Sequence, residues 1–286
     1  MIIQDSSQIY FHLDNDTTNG DIVDFNQFLT EYWPEPSQSP IQILAYYQTG
    51  LSGEAVCIYA QYIAHLLNGR LSYFQAGVAA EADLAKLGKG MGGKYDLFIL
   101  GEPDQTPFKR LISAPVGCKA VKQIPISVLV VRQPRQGIQR ILFVTREQRL
   151  DEVAIDWLVP LAQTSGAAVT VLVVLPQAPP MYHHGLRQGG LTYWLTSDTP
   201  LGWQLRQISR RLANWDIRLK LQFRPGLPNE QIEHQVEEDN PDLIILAADP
   251  PSWWQRRIPG MLVDPLLQGI DRPVLVAKPI EIYIRY

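Results

Sequence analysis

Short, unbroken apolar runs alternate along this chain with longer stretches whose apolar residues fall at helical spacing. Leu243-Ile244-Ile245-Leu246 and Pro273-Val274-Leu275-Val276-Ala277 show no polar alternation, the pattern of strands buried on both faces of a helix-covered parallel sheet. Between them, Ile258 to Gly269 carries a helix-like pattern. The first run stops at a turn signal, Ala247-Ala248-Asp249-Pro250-Pro251. In open α/β sheets that end of a strand is where ligands bind.

The same pattern occurs twice. Asp96-Leu97-Phe98-Ile99-Leu100 matches Asp242-Leu243-Ile244-Ile245-Leu246 at an offset of 146 residues, and Val128-Leu129-Val130 matches Val274-Leu275-Val276 at the same offset. Ile43-Leu44 matches Ile141-Leu142 at an offset of 98, and Ser72 pairs with Thr170 at that offset too. The second copy therefore holds 48 further residues between its second strand and its late pair. A doubled unit predicts two tandem parallel sheets, and one undivided sheet would contradict it.

Taken in order, residues 1–40 form an N-terminal arm. Ile9–Leu13 reads as a strand, and Asp21–Trp33 as a helix with Ile22, Phe25, Leu29 and Trp33 on one face, before Pro34, Pro36 and Pro40 break the pattern. In the first unit, residues 41–135, the predicted strands are Ile41–Tyr47, Arg70–Gln75, Asp96–Leu100 and Ile126–Val131. The helices are Ser52–Asn68, a short Glu81–Leu87 and Phe108–Lys122, with Gly88, Gly90, Gly92 and Gly93 as a flexible approach to the third strand. The second unit, residues 136–286, carries strands Arg140–Thr145 and Ala168–Leu175, a half-exposed edge strand Ile217–Leu221, and the late pair. Its helices are Asp151–Thr164, Leu201–Trp215 and Asn229–Glu238, with a long loop at Pro176–Pro200. Strands alternating with helices imply βαβ units. The first copy lacks one helix and one strand, and the arm holds one of each. It is expected to pack beside Arg70–Gln75, where an unfilled edge would leave backbone groups unpaired.

Composition narrows the partners. A net charge of -4 and a pI near 5.8 argue against a nucleic-acid surface, and no basic run suggests anionic membranes. Apolar runs fall far below the ~18 residues of a membrane helix. The N-terminus lacks the layout of a signal peptide. Two cysteines, Cys57 and Cys118, form no disulfide framework, which points to the cytoplasm. Cys57 reads as a small core residue, since nothing beside it in sequence would lower its pKa.

Each copy resembles the universal stress protein domain over roughly residues 41–279. The likeness rests on Arg140-Ile141-Leu142-Phe143-Val144, Pro241-Asp242-Leu243-Ile244-Ile245-Leu246 and Pro273-Val274-Leu275-Val276. The resemblance implies two tandem five-stranded Rossmann-like (adenine nucleotide alpha hydrolase-like) α/β domains, a cytoplasmic role under stress, and pairing of domains through the last strand. It implies ATP binding for those members that keep Gly, two residues, Gly, nine residues, then Gly with Ser or Thr. Glycines let backbone N–H groups reach the phosphates. Here the pattern falls on Gly101, Asp104, Ala114 and Pro115, and on Ala247, Pro250, Gly260 and Met261. Pro250 has no N–H to offer and Asp104 brings the wrong charge. The aspartate such members carry after their first strand is matched by Gln48 and Arg146.

The reading is a non-catalytic binding or regulatory protein without a cofactor, its ATP loop eroded in both halves and its chains associating through their last strands. The alternative is a sensor that still takes ATP, AMP or another small anionic ligand through Gly101, Arg146, Ala247, Asp249, Arg256, Arg257 and Gly260. Trp253-Trp254-Gln255-Arg256-Arg257 is rich in stacking and forked donors, yet Trp and Arg are also the residues enriched at protein contacts, which favours core cover or a subunit contact. His183-His184 has no third ligand close in sequence, and no serine sits in a nucleophile elbow, so neither metal nor triad chemistry is expected. His65 and His234 read as helix-surface residues. Glu237-Glu238-Asp239 reads as a solvated helix end, with acids where the helix dipole disfavours them. Ile280–Arg285 alternates as a strand extension or an edge contact.

Overall fold

The structure, a computed structural model, describes residues 40–47, 51–76, 80–91, 93–102, 116–146, 152–175, 193, 195–213, 215, 217–248 and 263–279. The strands are β1 (Gln42–Tyr47), β2 (Arg70–Gln75), β3 (Leu97–Gly101), β4 (Ser127–Val131), β5 (Arg140–Arg146), β6 (Ala168–Leu175), β7 (Leu219–Pro225), β8 (Leu243–Ala247) and β9 (Val274–Ala277). The helices are α1 (Leu51–Leu66), α2 (Ala80–Met91), α3 (Val116–Gln123), α4 (Glu152–Ser165), α5 (Pro200–Ala213), α6 (Pro228–Asp239) and α7 (Val263–Gly269). The strands form one sheet in the order β2-β1-β3-β4-β9-β8-β5-β6-β7. All neighbours are parallel except β4 and β9.

That sheet is continuous but not undivided. Its antiparallel seam splits it into a four-stranded and a five-stranded parallel half, the first one strand short of the five expected among the described residues. β4 and β9 are the last strands of the two halves. Apart, each would present a row of unpaired backbone groups; together they satisfy one another. Val128 faces Val276, Leu129 faces Leu275 and Val130 faces Val274. Since Leu129 and Leu275 are themselves repeat equivalents, the pseudo-twofold axis passes through that pair.

The repeat holds down to single hydrogen bonds. Ile43 pairs with Leu97 in the first half and Ile141 with Leu243 in the second, with both repeat offsets kept. Asp96 accepts from the Gln42 N–H at 2.7 Å, and Asp242 accepts from the equivalent Arg140 N–H at 2.9 Å. A carboxylate at the start of the third strand thus ties down the first strand in each copy.

Alternation sends the apolar runs to two cores. Ile43, Leu97, Ile99, Leu129, Ile141 and Leu275 meet α1, α4 and α5 on one face. Leu44, Phe98, Val128, Val130, Leu142 and Val274 meet α2, α3, α6 and α7 on the other. This is why the runs lack polar positions.

Three expectations change. The short helix of the first unit extends from Ala80 to Met91 and includes Gly88 and Gly90. Leu84 and Met91 bury one face, and a Cβ on Gly88 would lie 2.6 Å from the Gln123 carbonyl oxygen. Gly88 therefore permits a close helix approach, and Gly88 and Gly90 lie within the helix and not in a link. Two of the three acids ending α6 are paired, with Lys220 meeting Asp239 at 3.1 Å and Arg224 meeting Glu238, both cations coming from edge strand β7, while Glu237 stays exposed. In the predicted loop 176–200, Tyr193 and Leu195 pack against the first core. The arm lies outside the described residues, and β2 stands at the outer edge of the sheet.

The seam carries reciprocal caps. Arg132, after β4, donates to the Ile270 carbonyl at the end of α7 at 2.9 Å. Lys278, after β9, donates to the Val121 and Ile124 carbonyls at the end of α3. Ile124 and Ile270 are repeat equivalents, as are Arg132 and Lys278. Each half thus places a cation on a helix C-terminus of the other, where orphan carbonyls favour it. Burial pushes the Lys278 ammonium down to about 8. Between that value and the ordinary lysine range the unfolded chain binds the extra proton, so this group's contribution rises with pH and is lost as pH falls through 8. Against Lys278→Met, the wild type should gain about 2 kcal/mol from pH 8 to pH 10, measured by urea unfolding.

Candidate functional site

The crevice expected from the topology lies beyond the carboxyl ends of β1 and β3 in one half and of β5 and β8 in the other. Gly101 ends β3. A Cβ there would overlap the Val56 side chain on α1. The glycine lets α1 close on the sheet, a packing reason for it that sequence could not separate from phosphate approach. Ala247 ends β8 half-buried. Arg146 ends β5, its side chain outside the described part. Gln48, Asp249, Arg256, Arg257, Gly260, the Trp253–Trp254 pair and His183–His184 also lie outside the described residues. The structure thus brings Arg146 and Ala247 to the ends of adjacent strands, with Val144 opposite Leu246 one step earlier. Gly101 belongs to the other half.

Next to Arg146, Thr145 is 1% exposed and Gln204 of α5 is 2% exposed. The Gln204 amide donates to the Thr145 hydroxyl at 2.7 Å. This bond fastens α5 over the carboxyl end of β5 and spends the polar group of Thr145 on the protein itself.

The first half holds a feature that sequence reading missed. Glu102, one residue past β3, is 9% exposed, and Arg132 is 2% exposed. Glu102 Oε2 accepts from Arg132 Nε at 2.7 Å and also from its Nη2. Glu102 Oε1 accepts from the Gly117 N–H in the first turn of α3. A helix start offers backbone N–H groups to an anion. Here one of them is taken by the chain's own carboxylate. A signal was present: at the late-pair offset Glu102, Gly117 and Arg132 align with Ala248, Val263 and Lys278. The equivalence shows in the backbone, where Glu102 N–H donates to Val131 O at 3.1 Å and Ala248 N–H to Ala277 O at 2.8 Å.

The thiols are poorly placed for nucleophilic work. Burial, with a smaller push from Asp264, takes Cys118 up to about 12. Burial and then Glu54 raise Cys57, which is half-buried and not the core residue expected. His65 and His234 are exposed on their helices. Among the described residues no three His, Cys, Asp or Glu side chains are grouped to hold a metal ion, and no helix is long and apolar enough to cross a membrane.

Residues 137–278 match the family model of the Universal stress protein family. Among solved structures, the chain is similar to a universal stress protein from Archaeoglobus fulgidus DSM 4304, at 13% identity and a TM-score of 0.58, covering 82% of this chain and 96% of that one. It is similar also to a functionally unknown protein from Pseudomonas aeruginosa PAO1, at 15% identity and a TM-score of 0.52, covering 94% of this chain and 91% of that one. At such identity these likenesses concern the α/β fold. No curated protein matches.

Gly101→Ala should cost about 1–3 kcal/mol by overpacking. Pairing it with Val56→Ala should return part of that loss in a double-mutant cycle. Equal, additive losses in guanidinium unfolding would mean that Gly101 is not there to admit α1.

Proposed function

We propose that the whole chain is a tandem universal-stress-protein-like binding and regulatory protein, non-catalytic, whose ATP cradle is lost from both halves. The observation that carries this reading is the Glu102 carboxylate on the Gly117 N–H, at the helix start just past the phosphate-loop pattern of the first half. A nucleotide phosphate there would meet like charge in a buried site. In the second half the argument comes from sequence: Ala247 and Pro250 replace two glycines, and Pro250 donates no hydrogen bond. The Gln204–Thr145 bond supports it by covering the end of β5.

Regulation then works through surfaces, in the cytoplasm and in a stress setting, in keeping with the family match over residues 137–278. β4 and β9 are each paired on both sides within the chain, so association of chains is assigned to residues 280–286, whose sequence alternates apolar and polar positions. Deleting residues 280–286 should lower the mass seen by light scattering; an unchanged mass rejects that contact.

Thermal unfolding with ATP, AMP or a cyclic dinucleotide at about 1 mM should show a shift below about 1 °C, and no turnover of any of them should be detected. A saturable rise that is lost in Arg146→Ala would replace this reading with a nucleotide sensor acting through the second half.

A further inference from the structure

The two copies differ at one buried spot in a coordinated way. In the first, a carboxylate at position 102 is matched by a glycine at 117 and an arginine at 132; in the second, the aligned residues are Ala248, Val263 and Lys278. A Cβ on Gly117 would lie 2.8 Å from Glu102 Oε1 and 2.9 Å from Val130 Cγ1. The glycine therefore makes room for the carboxylate and for Val130 together. Where the carboxylate is replaced by Ala248, the helix start bears Val263, fully buried. The cation follows the same logic. Arg132 has a forked head that serves Glu102 and the Ile270 carbonyl together. Lys278, with no carboxylate opposite, keeps only the carbonyl contacts.

We propose that the head of α3 and the Arg132 guanidinium form an oxyanion site that the chain fills with its own Glu102 carboxylate, closing the first half to carboxylate- or phosphate-bearing ligands. The site has the donors such a ligand needs: a forked cation almost wholly buried and a backbone N–H at a helix start. Glu102 reaches it from the adjacent residue past β3, so it competes at the effective concentration of a tethered group. Free anions at millimolar levels do not displace it. The proposal concerns the first half alone and holds whether or not the second half takes a nucleotide.

The test removes the internal occupant from the full chain and offers inorganic replacements. Glu102→Ala should unfold at lower temperature than wild type in sodium chloride. It should recover saturably in sodium phosphate or acetate of equal ionic strength, by about 3 °C at ten times the dissociation constant. Wild type and Glu102→Ala/Arg132→Met should show only the small common rise that phosphate gives any folded protein. A response no larger in Glu102→Ala than in those two controls overturns the proposal. If Glu102→Ala fails to fold in chloride, its refolding yield decides: recovery in phosphate or acetate but not chloride supports the site, and equal failure in all three rejects it. ATP binding by wild type, whichever way it falls, leaves this result unaffected.

Discussion

The structure depends on the antiparallel meeting of β4 and β9. Each is the last strand of a parallel half, and each alone would leave an edge of unsatisfied N–H and C=O groups beside a fully apolar face. Every residue of Val128–Val131 and of Val274–Ala277 is at most 1% exposed. Burying each large side chain there contributes about 1.5–3 kcal/mol. Removing that pairing would expose both rows together, so the halves have little reason to exist apart.

The seam also sets where charge is allowed. Directly past each strand stands a cation, Arg132 or Lys278, and each reaches across to the spent end of the other half's helix. Helix C-termini need such donors, and buried cations need such acceptors. Arg132 also meets a carboxylate, that of Glu102, whereas Lys278 bonds two carbonyls. Replacing Glu102 or Arg132 alone would leave the other charge buried without its ion partner, a loss of about 3–5 kcal/mol. The first copy carries Glu102 after β3, Gly117 in α3 and Arg132 after β4. The other copy shows a different consistent set at the same three places.

Glycine illustrates how one residue type hides different jobs. Gly88 admits the end of α3, Gly101 admits Val56, and Gly117 admits Glu102. In sequence the first reads as flexibility and the second as a remnant of a phosphate loop. Neither reading separates a ligand from a neighbouring side chain, because both demand the same missing Cβ. The acids ending α6 posed the opposite difficulty. On their own helix they are misplaced against its dipole; Lys220 and Arg224, arriving from β7, give Asp239 and Glu238 partners.

Local pattern determined most of the architecture. Apolar runs of strand length, helical spacing between them and two constant offsets were enough to read the strands, the alternation of elements and the internal repeat. Burial on both faces leaves no polar positions, and duplication preserves register. Pattern also placed Gly101, Arg146 and Ala247 at strand ends. What decided the rest was contact between residues far apart in the chain. That two parallel halves share one sheet, that Arg132 and Lys278 exchange helix ends, and that Glu102 joins Arg132 and a helix start all depend on partners that periodicity does not encode. A carboxylate beside a turn looks solvated in a string of letters; only packing shows that it has been taken out of water and given a guanidinium and a helix start to hold.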